Sequence, residues 1–453
     1  MADLPEDIGK LTDRPWPAIV IGAGPAGAVC ALALARAGHS VLVLDKFDFP
    51  RDKICGDQLL PDSLKVLAQL GLLDRIRPLA LASNGIRVFS PGRIDFLIRC
   101  EYLGIKRRDF DQMLLRAAIE AGATFAKARV IDIKTSPRNN ENFTDLSSRG
   151  PDPVGAVAIS DSRLPRYDVP PHGGPSPLAM TDGAALSKET LAEVYVQERT
   201  EPLLAQVVVL ATGASVHLAD KLGLIERRVP SAVAMRAYIQ SDYPLEENVL
   251  SYDRSLLPGY GWVFRVEKNL FNVGCGHLYG KENERSDNLR ATTESFLANF
   301  PIAHEVASRG RLVSDFQGAP FRCGLDGWRQ MVKDNVVCIG EVIGTTFPFT
   351  GEGIGKAMQS ALIASEAIIR VLKFGDLSAL DEYPIRVEAE LRPRYHGYTI
   401  AEEWFSRPWA VDLVARRIRN SPHLQEQLAG LAAETADPRA LFSIGSLLQS
   451  LWK

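Results

Sequence analysis

A short apolar run rich in β-branched residues, 18–21, leads directly into Gly22-Ala23-Gly24-Pro25-Ala26-Gly27, and an alanine-rich stretch follows to about residue 37. No other feature restricts the fold as much. A G-x-G-x-x-G turn between strand and helix uses its first glycine for the turn, its second to let a pyrophosphate approach the backbone, and its third for close helix–strand packing. Gly38 caps the helix, and a second strand, 40–44, ends at Asp45 with Lys46 beside it. Asp45 lies 18 residues past Gly27, where a carboxylate would accept hydrogen bonds from a ribose. The unit reads as βαβ carrying a dinucleotide, with Gly22, Gly24, Pro25, Ala26 and Gly27 around its phosphates.

With 453 residues the chain exceeds one compact core and suits two domains, interleaved. Its 52 basic and 55 acidic residues leave a net charge of -3, which argues against a nucleic-acid partner and gives no global attraction to a membrane. A local basic patch is compatible with that balance. The six cysteines are scattered, with no CxxC pair and no metal-ligand spacing, so they read as reduced thiols of a cytoplasmic protein with no metal site. Residues 15–35 carry no charge and are long enough to resemble a membrane span, but their prolines and glycines fit a buried strand, turn and helix. The preceding MADLPEDIGKLTDR is more acidic than basic, unlike a secretory leader.

Apolar spacing predicts amphipathic helices over 62–73 and 108–121, with a strand over 85–100 between them. From 134 to 187 the text turns to proline, glycine, serine and asparagine, the composition of a polar insertion or lid. The apolar strand 207–210 then runs into Ala211-Thr212-Gly213. Residues 229–322 alternate as β-structure with few helical signals, and a long helix over 353–372 precedes a tail with breaks at Pro393, Pro408 and Pro422. A second glycine-rich turn far downstream of the fingerprint favours tightly bound FAD over a visiting nicotinamide.

These motifs, in this order, resemble the geranylgeranyl reductase-like branch of the FAD-dependent oxidoreductases of the p-hydroxybenzoate hydroxylase type. The resemblance covers about 18–372. It rests on GAGPAG, on Lys53-Ile54-Cys55-Gly56 for a K-x-C-G segment, on Arg107-x-x-Phe110-Asp111, on Ala211-x-Gly213, on Tyr260-x-Trp262-x-Phe264, and on Gly340-Glu341 followed by Pro348-Phe349-Thr350-Gly351-Glu352-Gly353-Ile354. It implies an α/β fold: a Rossmann-type FAD-binding domain of glutathione reductase type (1–85, 105–228, 325–375) interleaved with a mainly antiparallel substrate domain (86–104, 229–324), then a helical region (376–453). It also implies that Arg51, Cys55, Gly56 and Arg107 lie beside the cofactor.

Two departures stand out. The family usually has Gly-Asp where this chain has Gly340-Glu341, and proline where it has Arg265. Glu341 is expected to accept from the ribityl chain of the flavin, as the aspartate does. The turn at Gly351-Glu352-Gly353 brings unpaired N–H groups and partial positive charge to a helix start, suited to the flavin ring. Tyr260, Trp262 and Phe264 alternate on a strand and so face one way, either into a core or as the aromatic wall of a substrate cavity. Cys55 is a candidate catalytic thiol or a buried small hydrophobe.

Reduced flavin, recharged by transient NAD(P)H, has two main uses. With O2 it hydroxylates an electron-rich aromatic group. This reading is favoured here by Glu341, Arg265 and the polar insertion, and by similarity to flavoproteins that modify a residue of a partner enzyme to build a quinone cofactor, including tryptophan hydroxylation in quinohemoprotein amine dehydrogenase maturation. Alternatively it delivers hydride to a prenyl double bond, which would need an apolar tunnel. Halogenation is a third reading, weakened because Tyr260-x-Trp262-x-Phe264-Arg265 departs from the halogenases' W-x-W-x-I-P; a non-catalytic flavin-bearing accessory protein is a fourth.

Overall fold

The computed structural model describes residues 5–11, 14–135, 191–279, 288–348, 350–405 and 407–436. The polar insertion expected over 134–187 lies almost wholly outside them.

Two strands of near-continuous aliphatic sequence, Trp16–Ile21 and Val41–Asp45, pair in parallel at the centre of one sheet. Such runs are buried on both faces, as a parallel sheet covered by helices requires. Across the sheet the order is Val336–Cys338, Leu203–Leu210, Trp16–Ile21, Val41–Asp45 and Thr124–Lys127, all parallel, with Val332–Lys333 antiparallel at one edge. Three helices, Pro25–Arg36, Arg107–Glu120 and Ile354–Phe374, pack together over it. The fully buried face of Pro25–Arg36 is why the span-like stretch 15–35 is apolar. No helix among the described residues is long and apolar enough to cross a membrane.

The second sheet is antiparallel except at one seam. Its order is Gly310–Leu312, Ala232–Ser241, Leu270–Leu278, Gly259–Glu267, Asn248–Ser251, Ile86–Phe89 and Asp95–Ile98, with Gln317–Phe321 also on Ala232–Ser241. Ile86–Phe89 joins Asn248–Ser251 in parallel, so an early segment completes a late sheet. The strand expected over 85–100 is thus two strands, bent back on each other around Pro91-Gly92.

Residues 229–322 also hold two helices that the alternating pattern did not reveal, Leu289–Asn299 and Pro301–Ser308. Asn288 caps the first through its side chain, accepting from Ala291 N–H at 3.2 Å. Phe296, Phe300, Ala303 and Val306 pack onto Val263, Val273 and Cys275 at the back of the sheet. With its back filled in this way, the sheet presents its other face as a wall.

The expected helix over 62–73 is Pro61–Gln69 followed by a short turn, Leu73–Ile76. In the tail, Glu382–Glu390, Arg392–Phe405, Pro408–Asn420 and Pro422–Ala432 are helices, and Pro408 and Pro422 each stand at the first helical position. Proline has no N–H to lose there.

Candidate functional site

One cavity of about 1840 Å³ runs from the carboxyl ends of the parallel strands to the aromatic face of the second sheet. That is well above the ~300–1,000 Å³ of common small-molecule sites, so it has room for a large cofactor and a substrate together.

At its inner end the fingerprint fits a pyrophosphate by geometry. A side chain on Gly22 would overlap the Ala211 carbonyl, and one on Gly27 would overlap the Gly22 carbonyl. Beside Gly24 the nearest atom is Arg51 NH2, 3.6 Å from where a Cβ would stand. Gly24 caps Pro25–Arg36 with no side-chain cap, and the first intrahelical bond runs from Ala28 N–H to the Gly24 carbonyl, so the N–H groups of the opening turn lack intrahelical partners. Arg51 lies 3.3 Å from Asp111, and its buried Nε has no partner in the protein. A pyrophosphate, with one negative charge on each phosphate, would accept from both the helix N–H groups and Arg51. Asp45 accepts from Ala23 N–H at 2.9 Å and from Phe47 N–H at 3.0 Å, which fixes the carboxylate and leaves lone pairs for a ribose. Lys46, Ala211, Thr212 and Gly213 complete this end.

Three residues expected at the cofactor do not line the cavity. Gly27 is consumed in helix–strand packing. Gly340 has φ +73° and leaves only 2.8 Å between an added Cβ and Ala26, so it aims the turn instead of touching a ligand. Pro348 is buried behind that turn. Glu341 does line the cavity: its Oε1 accepts from Arg322 N–H at 3.3 Å, and Oε2 lies 3.6 Å from the place a Cβ would occupy on Gly213.

Arg107 is largely spent inside the protein. Its Nε and NH2 donate to the two oxygens of buried Asp111 at 2.7 and 2.9 Å, so it positions helix Arg107–Glu120 and the Cys55 segment beside it. Burial pushes the Cys55 thiol above its ordinary value, against the opposing pull of Arg107, so Cys55 is a thiol and not a thiolate at neutral pH. Gly56 packs under the Phe264 ring.

Tyr260, Trp262 and Phe264 all face the cavity, Trp262 and Phe264 stacked with centroids 6.1 Å apart. Beneath them lies a polar network that sequence reasoning missed. Trp262 Nε1 donates to Asn272 at 2.9 Å, Asn272 Nδ2 donates to the Cys55 carbonyl at 2.7 Å and to Asp57 at 2.8 Å, and Tyr238 Oη donates to the same Asp57 oxygen at 2.5 Å. Arg107 N–H donates to the other at 3.1 Å. Burial raises the Asp57 pKa to about 6 while Tyr238 and Asn272 hold it down, so it remains a carboxylate at neutral pH. Asp57 itself has a left-handed backbone, φ +59°, next to Gly56.

The downstream turn is the other feature whose role exceeds the expectation. Thr350, Gly351, Glu352, Gly353 and Ile354 border the cavity, and Gly353 caps Ile354–Phe374 with no side-chain bond. Glu352 is half-buried and lines the cavity. Burial first, then nearby Asp62, raises its pKa to about 8 against the pull of Lys356. Lys356 is buried behind it, 3.5 Å from Asp62 and in contact with Glu434 from the tail.

Residues 16–228 match the family model described as an FAD binding domain. Among curated relatives, a menaquinone reductase of Mycolicibacterium smegmatis is 28% identical over 77% of this chain and 75% of its own. Digeranylgeranylglycerophospholipid reductase 1 of Methanopyrus kandleri is 26% identical over 83% of this chain and 87% of its own. Conditioned medium factor receptor 1 of Dictyostelium discoideum is 26% identical over 79% of this chain, which spans only 64% of that protein. Two solved structures share the fold over 97% of the chain: a geranylgeranyl bacteriochlorophyll reductase-like protein of Thermoplasma acidophilum (96% of that chain, TM-score 0.68, 15% identity) and a flavin-dependent brominase (100% of that chain, TM-score 0.70, 17% identity). The glycine cradle, Asp45 and the matched residues agree: the chain carries an FAD binding domain, and it is similar in sequence to geranylgeranyl reductase-type enzymes and shares their fold.

Proposed function

We propose that this flavoprotein saturates a carbon–carbon double bond in a prenyl chain, using reducing equivalents from NAD(P)H. The observation that carries this reading is the apolar outer half of the cavity. From the sheet come Ile86, Val88, Phe96, Ile98 and Leu250. Facing them are Val411, Val414, Ile418, Leu424 and Leu428 of the tail helices. An isoprenoid chain suits such a chamber, which excludes water and makes few polar demands. The curated relatives named as reductases act in the same direction.

FAD, when bound, supplies the hydride. Reduction then needs one proton for the second carbon. Glu352 holds one at neutral pH, faces the cavity, and is followed by Lys356, which would steady the carboxylate left behind. Hydride on one carbon and the Glu352 proton on its neighbour add two hydrogens across the bond. Tyr260, Trp262 and Phe264 would hold the planar alkene.

Aromatic hydroxylation, including that of a protein-borne tryptophan, has less support from the cavity. Arg265, one of the departures that favoured it, does not line the cavity and points its guanidinium to the Glu246 carbonyl. The deciding experiment reduces the holoprotein with NAD(P)H under argon and adds a geranylgeranyl lipid that carries no quinone, so that only a carbon–carbon double bond can accept the hydride. Reoxidation of the flavin with a product two hydrogens heavier is expected. No reoxidation under argon, with an oxygenated product appearing only on admission of O2, would overturn the reading in favour of the monooxygenase.

A further inference from the structure

We infer that helix Pro408–Asn420 is a docking surface for an anionic membrane, at the mouth of the cavity. The helix has two opposed faces. Val411, Val414, Ala415 and Ile418 turn inward and line the cavity. Trp409, Leu413, Arg416 and Asn420 follow one another at spacings of four, three and four, so they form one outward stripe. Trp409 is 66% exposed and Leu413 45%, unusually open for residues of that size.

Charge identifies the partner. Arg407, Arg416 and Arg419 are exposed along or beside the stripe, and Arg254 is exposed near it. The helix has one acid, Asp412, and it is already engaged: it accepts from Ser90 Oγ at 2.7 Å and from Gly92 N–H at 2.6 Å, and pairs with Arg254 at 3.4 Å. A tryptophan and a leucine flanked by arginines, with no free carboxylate on the helix, match the boundary between anionic headgroups and acyl chains. Arg416 is both exposed and cavity-lining, as are Asn420 and His423, so the opening lies at this end of the helix. A membrane held there would meet the apolar chamber directly. The chain's overall charge of -3 gives no such attraction, so binding depends on this patch.

Binding is tested on the full-length holoprotein, apart from any turnover, so the surface and the reductase reading fail separately. Vesicles of phosphatidylcholine with phosphatidylglycerol should sediment the protein, vesicles of phosphatidylcholine alone much less, and high salt should release it. Replacing both Arg416 and Arg419 by glutamine should weaken partitioning by roughly 25-fold, from about fivefold for each charge. Trp409→Gln/Leu413→Gln should abolish sedimentation with melting temperature and FAD content unchanged. Trp409→Phe should still bind but lose quenching by brominated lipid. The inference is overturned if wild type stays in the supernatant with anionic vesicles, if Trp409→Gln/Leu413→Gln sediments like wild type, or if that variant instead dissociates a dimer, which would make a second copy the occupant.

Discussion

Tyr260 holds its hydroxyl against Gly351, in the space a side chain on that glycine would need. The aromatic wall of the cavity and the glycine turn are therefore fitted to each other. Gly351 has φ +71°, so Gly351→Ala bears both a left-handed backbone penalty of roughly 1–2 kcal/mol and an overlap. It should bind FAD at least about tenfold more weakly, by the scale of 1.4 kcal/mol per decade. Adding Tyr260→Phe removes the hydroxyl but not the φ cost, so recovery of affinity in a fluorescence titration should be partial.

Glu352→Gln keeps the size of the side chain and removes its proton. Reduction of the flavin by NAD(P)H should be unchanged, while reoxidation by substrate slows by about 10²–10⁴-fold. Stability provides a separate check. The carboxyl's folded pKa, about 8, lies above its ordinary 4.5, so its contribution is full below pH 4.5 and is lost as pH rises through 8. Melting temperatures should show that loss in wild type and not in the variant.

Glu434→Gln removes a negative neighbour of Glu352 and frees Lys356 to act on it. Both changes favour the carboxylate. The alkaline limb of the pH–rate profile should move to lower pH.

Asp57→Ala leaves the Tyr238 hydroxyl, an Asn272 N–H and the Arg107 N–H without their acceptor. At ~1–3 kcal/mol for each buried unsatisfied group, a loss of about 3 kcal/mol or more is expected in denaturant unfolding.

Glu341→Gln retains an acceptor for Arg322 N–H but loses the charge that strengthens a hydrogen bond to a ribityl hydroxyl. FAD affinity should fall roughly tenfold. Equal affinity would remove Glu341 from the cofactor site.

What could be read along the chain was what depends on neighbours in sequence. The fingerprint, Asp45 and the common facing of Tyr260, Trp262 and Phe264 each follow from a local period or turn. The network at Asp57 does not, because its partners stand at 238 and 272 and meet only once the second sheet has formed. Helix Leu289–Asn299 was hidden by two adjacent threonines and a serine, poor helix formers whose cost is offset by packing of Phe296. The apolar chamber was illegible for a related reason: its halves come from 86–98 and 411–428, and neither face is unusual alone.

The order in which that chamber is assembled matters during synthesis. Its inner wall is complete once Gln317–Phe321 has paired, but the closing helices, Pro408–Asn420 and Pro422–Ala432, begin 87 residues further along the chain. At the usual elongation rate of ~5–20 residues per second, the greasy face of the sheet waits several seconds, on the order of ten, for its cover. The ribosome-bound intermediate is therefore a sticky half-shell, and a hydrophobic ligand or chaperone has its best access then.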